Sequence, residues 1–264
     1  MLTRIALAQL AVNPGKLETN FSRGLELITA AASSGSHYVL FPELWTSGYP
    51  IRSPHKTSKM NAEFIEQLRM ISAGKNIVIG GSFLMEESQS FYNRYLLIAP
   101  DSQPPLVYDK IHLFKPLKED HMLKGGNNLA RKNVNDAAIG LAICYDLRFP
   151  ELFRAYRVEN VNLFLLAAEW PLSRIGHWKV LIQARAIENQ SFFAAVNCVG
   201  KTAIEKFGGS SMLVDPYGNV VCSGNETDEC LLTVDCDLSA ADTCRKNFPV
   251  LESHRKDLFT IHQR

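Results

Sequence analysis

The sequence predicts an α/β fold with mixed rather than purely parallel sheets. Two observations lead to this prediction. Short apolar runs typical of strands alternate with helical patterns along the 264 residues. Several neighbouring strands also have no helix between them, which disfavours a doubly wound parallel sheet. No linker, repeat or low-complexity segment interrupts the pattern, so we expect one domain over residues 1–264.

The N-terminal elements are predicted from periodicity and turn signals. Arg4–Leu10 alternates weakly and ends at an Asn-Pro-Gly turn, which indicates a first strand. Leu17–Ser34 has one apolar face and ends near Gly35, as an amphipathic helix does. Tyr38–Phe41 is a buried strand. The other elements predicted before residue 114 are a loop at Leu44–Lys56, a helix at Lys59–Ala73, strands at Ile77–Phe83, Phe91–Ala99 and Leu106–Leu113, and a polar turn at Ser82–Gln89.

The C-terminal elements follow an irregular segment, Phe114–Asn128. The apolar run Ala138–Ile143 predicts a buried strand, and Glu151–Arg157 has helical spacing after Pro150. The turn signal at Asp215–Asn219 predicts a hairpin. The other predictions are strands at Asn162–Ala168, Phe192–Val199, Ser210–Val214, Val220–Ser223 and Leu231–Val234, and helices at Ser173–Gln190 and Leu238–Arg245.

Composition excludes several classes of function. The chain is 46% hydrophobic and 21% charged, and its formal net charge is +1. That charge gives no electrostatic case for binding nucleic acid or an anionic membrane surface. No apolar run approaches the roughly 20 residues that span a bilayer. The N-terminal segment has no signal-peptide pattern, so we expect a cytoplasmic protein.

The six cysteines do not suggest disulfides or a metal site. No CxxC pair occurs, and a chain of this length does not depend on disulfides. The spacing of Cys230, Cys236 and Cys244 matches no common zinc module. We therefore expect no metal, and we interpret every cysteine except Cys144 as a structural thiol.

Cys144 lies where a predicted strand changes into a helix. A cysteine at such a junction leaves the pleated sheet beside free backbone N–H groups, which suits a nucleophile and the oxyanion that its attack creates. The alternative is a small buried core residue, which is the commoner role of a free cysteine.

Two other polar residues occupy comparable places. Glu43 follows a predicted strand and Lys110 lies on one, and strand ends are where catalytic groups converge in α/β sheets. A carboxylate can take the proton of Cys144, and an ammonium favours the thiolate and a developing oxyanion. Taken singly, Glu43 is also consistent with an exposed loop acid and Lys110 with a solvated strand lysine.

Three motifs in order resolve this ambiguity. FPELW around Glu43, YDKIHLF around Lys110 and CYDLRFPEL around Cys144 together resemble the nitrilase superfamily of carbon–nitrogen hydrolases. The resemblance implies that Glu43 is the general base, Lys110 the oxyanion stabiliser and Cys144 the nucleophile. The family's second glutamate falls at Glu119, within KIHLFKPLKED. A Gly125-Gly126 pair replaces the family's usual Pro-Gly.

The resemblance also implies an architecture. The family fold is a four-layer α-β-β-α sandwich that works without metal or organic cofactor. Its members usually form homodimers through helices, for which Phe149–Arg157 and Ser173–Gln190 are the candidates here.

The segment AEWPLSRIGHWKVLIQARAIENQ resembles the omega-amidase branch of this superfamily. Its members hydrolyse the terminal amide of 2-oxoglutaramate or 2-oxosuccinamate. Such substrates carry a remote carboxylate, for which Arg174 is the candidate partner. We expect the Tyr145 backbone N–H to help bind the oxyanion, and Trp170 and Tyr49 to form pocket walls.

Other interpretations remain open. The nearest is deaminated glutathione amidase, whose corresponding loop reads AFGxxTGxAHW, a pattern that this chain lacks. A non-catalytic scaffold on the same fold is more remote. Arg148, Arg185 and Glu188 are interpreted as internal ion-pair residues, and the histidines as structural.

Overall fold

Strands and helices alternate along the chain in the computed structural model, which describes residues 2–101, 103–202, 205–255 and 258. The helices of this part are α1 Leu17–Ser33, α2 Pro54–Lys75, α3 Pro150–Val158, α4 Ile175–Asn189 and α5 Ser239–Asn247. The strands of this part are β1 Leu2–Gln9, β2 Tyr38–Leu40, β3 Val78–Glu87, β4 Ser90–Ile98, β5 Leu106–Asp109, β6 Arg131–Val134, β7 Ala137–Ile143, β8 Leu163–Ala168, β9 Phe192–Asn197, β10 Met212–Val214, β11 Val220–Ser223 and β12 Cys230–Asp237.

The strands form two six-stranded mixed sheets. Their orders are β12-β1-β2-β3-β4-β5 and β11-β10-β9-β8-β7-β6. In each sheet three central strands are parallel, β1-β2-β3 and β7-β8-β9, and the outer strands pair antiparallel. The carboxyl ends of the parallel strands of each sheet therefore share one edge.

Three apolar clusters separate four layers. The cluster between the sheets packs Leu7 and Leu40 of the first sheet with Leu141 and Leu165 of the second. A second cluster lies between α1, α2 and the outer face of the first sheet, and a third lies under α3 and α4. This arrangement confirms the predicted α-β-β-α sandwich. None of the helices in the described part of the chain combines the length and apolar content needed to cross a bilayer.

Several predicted boundaries were wrong. Helix α2 begins at Pro54, not Lys59, because proline is readily accommodated in a first helical turn. The polar segment Ser82–Gln89 is mostly strand: β3 runs to Glu87, and only Ser88 and Gln89, both with positive φ, form the tight turn to β4.

Two further differences concern strands. Strand β6 was not predicted: its residues are mostly polar, because this strand pairs only with β7 at the edge of its sheet. Strand β5 ends at Asp109, so Lys110 directly follows the strand instead of lying on it.

Candidate active site

The carboxyl ends of strands from both sheets carry the polar residues of one cavity. Cys144 directly follows β7, Glu169 directly follows β8, and Glu43 comes three residues after β2. Lys110 directly follows β5. The structure therefore brings together side chains that are far apart in the sequence.

The backbone at Cys144 is left-handed. Its φ is 44°, a conformation that costs energy for a residue with a side chain and that is found at nucleophile turns. Asp146, which is fully buried, supports the turn. Its Oδ2 accepts hydrogen bonds from the Ile143 N–H at 2.9 Å and from the Tyr108 hydroxyl at 2.8 Å. These bonds hold the thiol outside the sheet.

Both oxygens of the Glu43 carboxylate are bound. Oε1 accepts from Lys110 Nζ at 2.8 Å and from Asn93 Nδ2 at 2.7 Å. Oε2 accepts from the backbone N–H of Glu169 at 3.0 Å. With 1% of its surface exposed, Glu43 is a buried carboxylate in a fixed orientation.

Lys110 bridges two carboxylates. Its Nζ lies 2.8 Å from Glu43 Oε1 and 2.9 Å from Glu119 Oε1, and the residue is 1% exposed. Glu119 also accepts from the Tyr49 hydroxyl at 2.9 Å and from the Phe114 N–H at 2.8 Å. The ammonium is therefore held between the two glutamates.

Burial and neighbouring charges set the protonation of the site. Burial, followed by the negative charge of Glu43, raises the pKa of the Cys144 thiol well above its usual value, and the Lys110 ammonium acts in the opposite direction. The thiol is therefore protonated at neutral pH and needs a base before it can attack.

Lys110 stays charged despite its burial. Burial lowers the pKa of Lys110, but Glu43 and Glu119 outweigh it, so the pKa is raised well above the usual value. A permanent positive charge therefore lies beside the thiol.

Glu169 is a third carboxyl group in the cavity, and it was not predicted from the sequence. Burial, followed by the charge of Glu43, raises the pKa of Glu169 well above its usual value, although a hydrogen bond from the backbone of Tyr49 opposes this. These surroundings therefore favour the neutral acid form of Glu169. An acid directly after a buried strand was the signal that could have identified it.

The cavity has a volume of about 50 Å³. Tyr49, Cys144, Tyr145, Trp170 and Arg174 all line it, as do Glu43 and Glu119. Every site residue predicted from the sequence therefore lies at this cavity, except that Lys110 is buried behind it. Their catalytic and binding roles remain predictions.

The more exposed end of the cavity, here called the mouth, carries Arg148, Arg174 and Glu205. Arg174 lies 3.9 Å from Glu205, and its guanidinium is 5.8 Å from the ring centre of Phe114. Arg148 stacks over the Trp170 ring at 4.7 Å. At the mouth, charged side chains therefore lie against aromatic rings.

The interpretation of Arg148 as an internal ion-pair residue was wrong. Among the described residues no carboxylate lies within 4.0 Å of its guanidinium, whose neighbours are Trp170 and, at 3.4 Å, His177 Nδ1. Arg185, by contrast, pairs with Glu188 at 3.0 Å, as predicted.

Asn93 is another residue that sequence reasoning missed. It lies within β4, where its polar side chain has no motif around it, and only the contact with Glu43 reveals its place. No set of three or more His, Cys, Asp or Glu side chains within the described ranges is arranged to hold a metal ion.

Comparison with known proteins agrees with this geometry. The sequence profile of the carbon-nitrogen hydrolase family matches residues 4–246. The chain belongs to this family. As a carbon–nitrogen hydrolase, it is an enzyme that acts on amides, which fits the thiol, carboxylates and ammonium at the strand ends.

Two relatives and one structure illustrate the similarity. A 2-oxoglutaramate amidase of Bacillus subtilis is 32% identical over 97% of this chain and 98% of the relative. A deaminated glutathione amidase of Dictyostelium discoideum is 32% identical over 97% of this chain and 94% of the relative. The crystal structure of XC1258 from Xanthomonas campestris, a CN-hydrolase superfamily protein, matches with a TM-score of 0.90 and 30% identity over 96% of this chain and 97% of that one.

Proposed function

We propose that this hydrolase is an omega-amidase-like enzyme that releases ammonia from the terminal amide of a 2-oxo dicarboxylic acid monoamide, such as 2-oxoglutaramate. The observation that carries the proposal is a thiol, a carboxylate and an ammonium at one end of a cavity whose mouth carries two guanidinium groups. The thiol, carboxylate and ammonium suit attack on an amide carbonyl, and the two guanidinium groups suit binding of a carboxylate remote from that amide.

In the first half-reaction Glu43 takes the proton of Cys144 while the sulfur attacks the amide carbon. Lys110 and the Tyr145 backbone N–H stabilise the oxyanion. Tyr145 lies in the first turn of a 3₁₀ helix, where N–H groups have no partner inside the helix. The intermediate collapses when the carbon–nitrogen bond breaks, and Glu43 gives its proton to the departing nitrogen, leaving a thioester and ammonia.

In the second half-reaction water cleaves the thioester. Glu43 accepts a proton from the water, and Glu119 helps to position that water from the other side of Lys110. Hydroxide adds to the acyl carbon, the carbon–sulfur bond breaks, and the thiolate recovers the proton from Glu43. The products are a carboxylic acid and free enzyme, without any need for a metal or cofactor.

The mouth supports a substrate with a carboxylate remote from the amide. Arg174 and Arg148 both line it, and a planar guanidinium binds a carboxylate through two parallel hydrogen bonds. Trp170 lies below Arg148 and gives the intervening carbon chain an apolar wall.

An ammonia-release panel tests this function. We expect turnover of 2-oxoglutaramate to exceed that of neutral butyramide. Hydrolysis of deaminated glutathione frees a dipeptide amine instead of ammonia, so it is followed by the amino group released, and a preference for it would favour the other relative's activity. Ammonia release from butyramide alone would contradict the proposed substrate class.

The domain organisation, the oligomeric state and the location of the enzyme are also proposed. We infer a single catalytic domain, which the family match over residues 4–246 supports. Val158 on α3 and Val180 and Ile187 on α4 are 62%, 65% and 52% exposed, which favours a homodimer through these helices. A cytoplasmic location is consistent with six unpaired cysteines.

A further inference from the structure

The mouth contains a carboxylate, Glu205, whose negative charge repels an anionic substrate. Glu205 lines the cavity and lies 3.9 Å from Arg174, the proposed carboxylate partner. Both side chains keep about a third of their surface exposed, 34% for Glu205 and 38% for Arg174. Glu205 is therefore close enough to act on the charge of any carboxylate that Arg174 binds.

Backbone contacts fix the position of Glu205. Phe207 forms a bridge with Pro171, and the Leu172 N–H donates to the Lys206 carbonyl at 2.7 Å. The segment that carries Glu205 is thereby tied to the segment that carries Arg174. The two side chains face the same cavity from neighbouring pieces of backbone.

The deeper cavity has two carboxylates and one ammonium, so its charges sum to about −1. Glu43 and Glu119 share the Lys110 ammonium, and burial and the charge of Glu43 raise the pKa of Glu169 and so favour its neutral form. The mouth, taken separately, has two guanidinium groups and one carboxylate. Its net charge of about +1 is neutralised by one carboxylate, and a second would be in excess.

We propose that Glu205 is a specificity-determining residue that adjusts the mouth to ligands with a single carboxylate and disfavours ligands with two. The inference rests on the proposed function, since it assumes that the cavity binds an anionic amide. It adds a repulsive element to the attraction of Arg174 and Arg148, and selective sites commonly use both. A 2-oxo acid monoamide carries one carboxylate, whereas deaminated glutathione carries two.

Glu205→Gln tests the assignment because glutamine keeps the shape and removes the charge. Isothermal titration calorimetry measures the Kd of three chain-length-related ligands, butyramide, butyrate and glutarate, which carry no, one and two carboxylates. Glu66→Gln is the matched control: Glu66 also pairs with an arginine, at 3.7 Å, but lies on α2 away from the cavity.

We expect Glu205→Gln to tighten butyrate binding about two- to fivefold and glutarate binding about tenfold, in line with one partly exposed charge interaction per carboxylate. The Kd of butyramide stays within about twofold, and the effects shrink in 0.5 M salt because exposed charges are screened. Glu66→Gln changes none of the three values.

Weaker binding of both carboxylates in Glu205→Gln would overturn the assignment, because Glu205 would then be orienting Arg174 for binding. Equal changes in the Kd of butyrate and of glutarate would also overturn it. So would the failure of both ligands to bind to the wild-type protein and to Glu205→Gln. If the expected shifts occur but the wild-type enzyme releases no ammonia from 2-oxoglutaramate, the charge selection stands and the proposed substrate fails. Unchanged Kd values with normal turnover of 2-oxoglutaramate refute only the role of Glu205.

Discussion

Replacing Lys110 with methionine removes the one ammonium that bridges Glu43 and Glu119. Methionine keeps most of the apolar side-chain volume, so the main change is the loss of charge. Two carboxylates that are 1% and 3% exposed then have no cation at 2.8 and 2.9 Å. Breaking a buried ion pair by removing one partner costs about 3–5 kcal/mol of unfolding free energy. For domains of this size that corresponds to a fall in Tm of roughly 6–20 °C.

The loss should depend on pH. The folded-state pKa of Lys110 is raised, so its stabilisation is fully present below the usual lysine pKa, about 10.4, and is lost only as pH rises through the higher folded value. At pH 8 the whole difference between wild type and variant is therefore expected.

Thermal unfolding at pH 8, with ammonia release measured alongside, checks this prediction. Lys110→Met should lose at least about 100-fold in kcat, because it lacks an oxyanion donor. The double variant Lys110→Met/Glu119→Gln is the control: it removes one uncompensated charge, so it should recover part of the Tm but no activity. A Tm within 2 °C of wild type at pH 8 would refute the reasoning.

Four other substitutions test separate parts of the account. Glu43→Gln should release no ammonia even in a single turnover, because nothing takes the thiol proton or protonates the leaving nitrogen; a normal burst would remove the base role. Arg174→Met should raise the KM for 2-oxoglutaramate about tenfold or more and that for butyramide less than about twofold; equal changes would deny it a carboxylate contact. Asp146→Asn should lower the unfolding free energy by about 1–3 kcal/mol together with kcat, measured by denaturant titration, whereas full activity would show that the Cys144 turn holds without it. If the proposed homodimer forms through α4, Val180→Glu should yield monomers in analytical ultracentrifugation, and a dimer that persists would place the interface elsewhere.

Elements whose pattern reflects burial were predictable from the sequence. Ala138–Ile143 and Phe192–Val199 are apolar because both faces of a central strand are covered, so periodicity identifies them. The edge strand β6 is polar and is stabilised mainly by its partner, so local pattern gives no signal for it. The start of α2 depends on the position of Pro54, which is equally compatible with a loop.

The residues of the site likewise fall into two groups, those predictable from the sequence and those that were not. Glu43, Lys110 and Cys144 lie in local motifs and were predictable as candidates. The contacts of Asn93 and Glu169 with Glu43 join segments separated by 50 and 126 positions, so they depend on tertiary packing that one sequence does not encode locally. The position of Arg148 over Trp170 is likewise a product of packing between the turn before α3 and the segment before α4, which is why it was mistaken for an ion-pair residue.

Acid quenching of the enzyme with 2-oxoglutaramate within its first turnover, followed by peptide mass spectrometry, tests the central claim most directly. The account predicts an acyl group on Cys144, with one ammonia released per acylated site, and neither product in Cys144→Ala. Turnover without an adduct on Cys144, or ammonia release that persists in Cys144→Ala, would contradict the thioester mechanism.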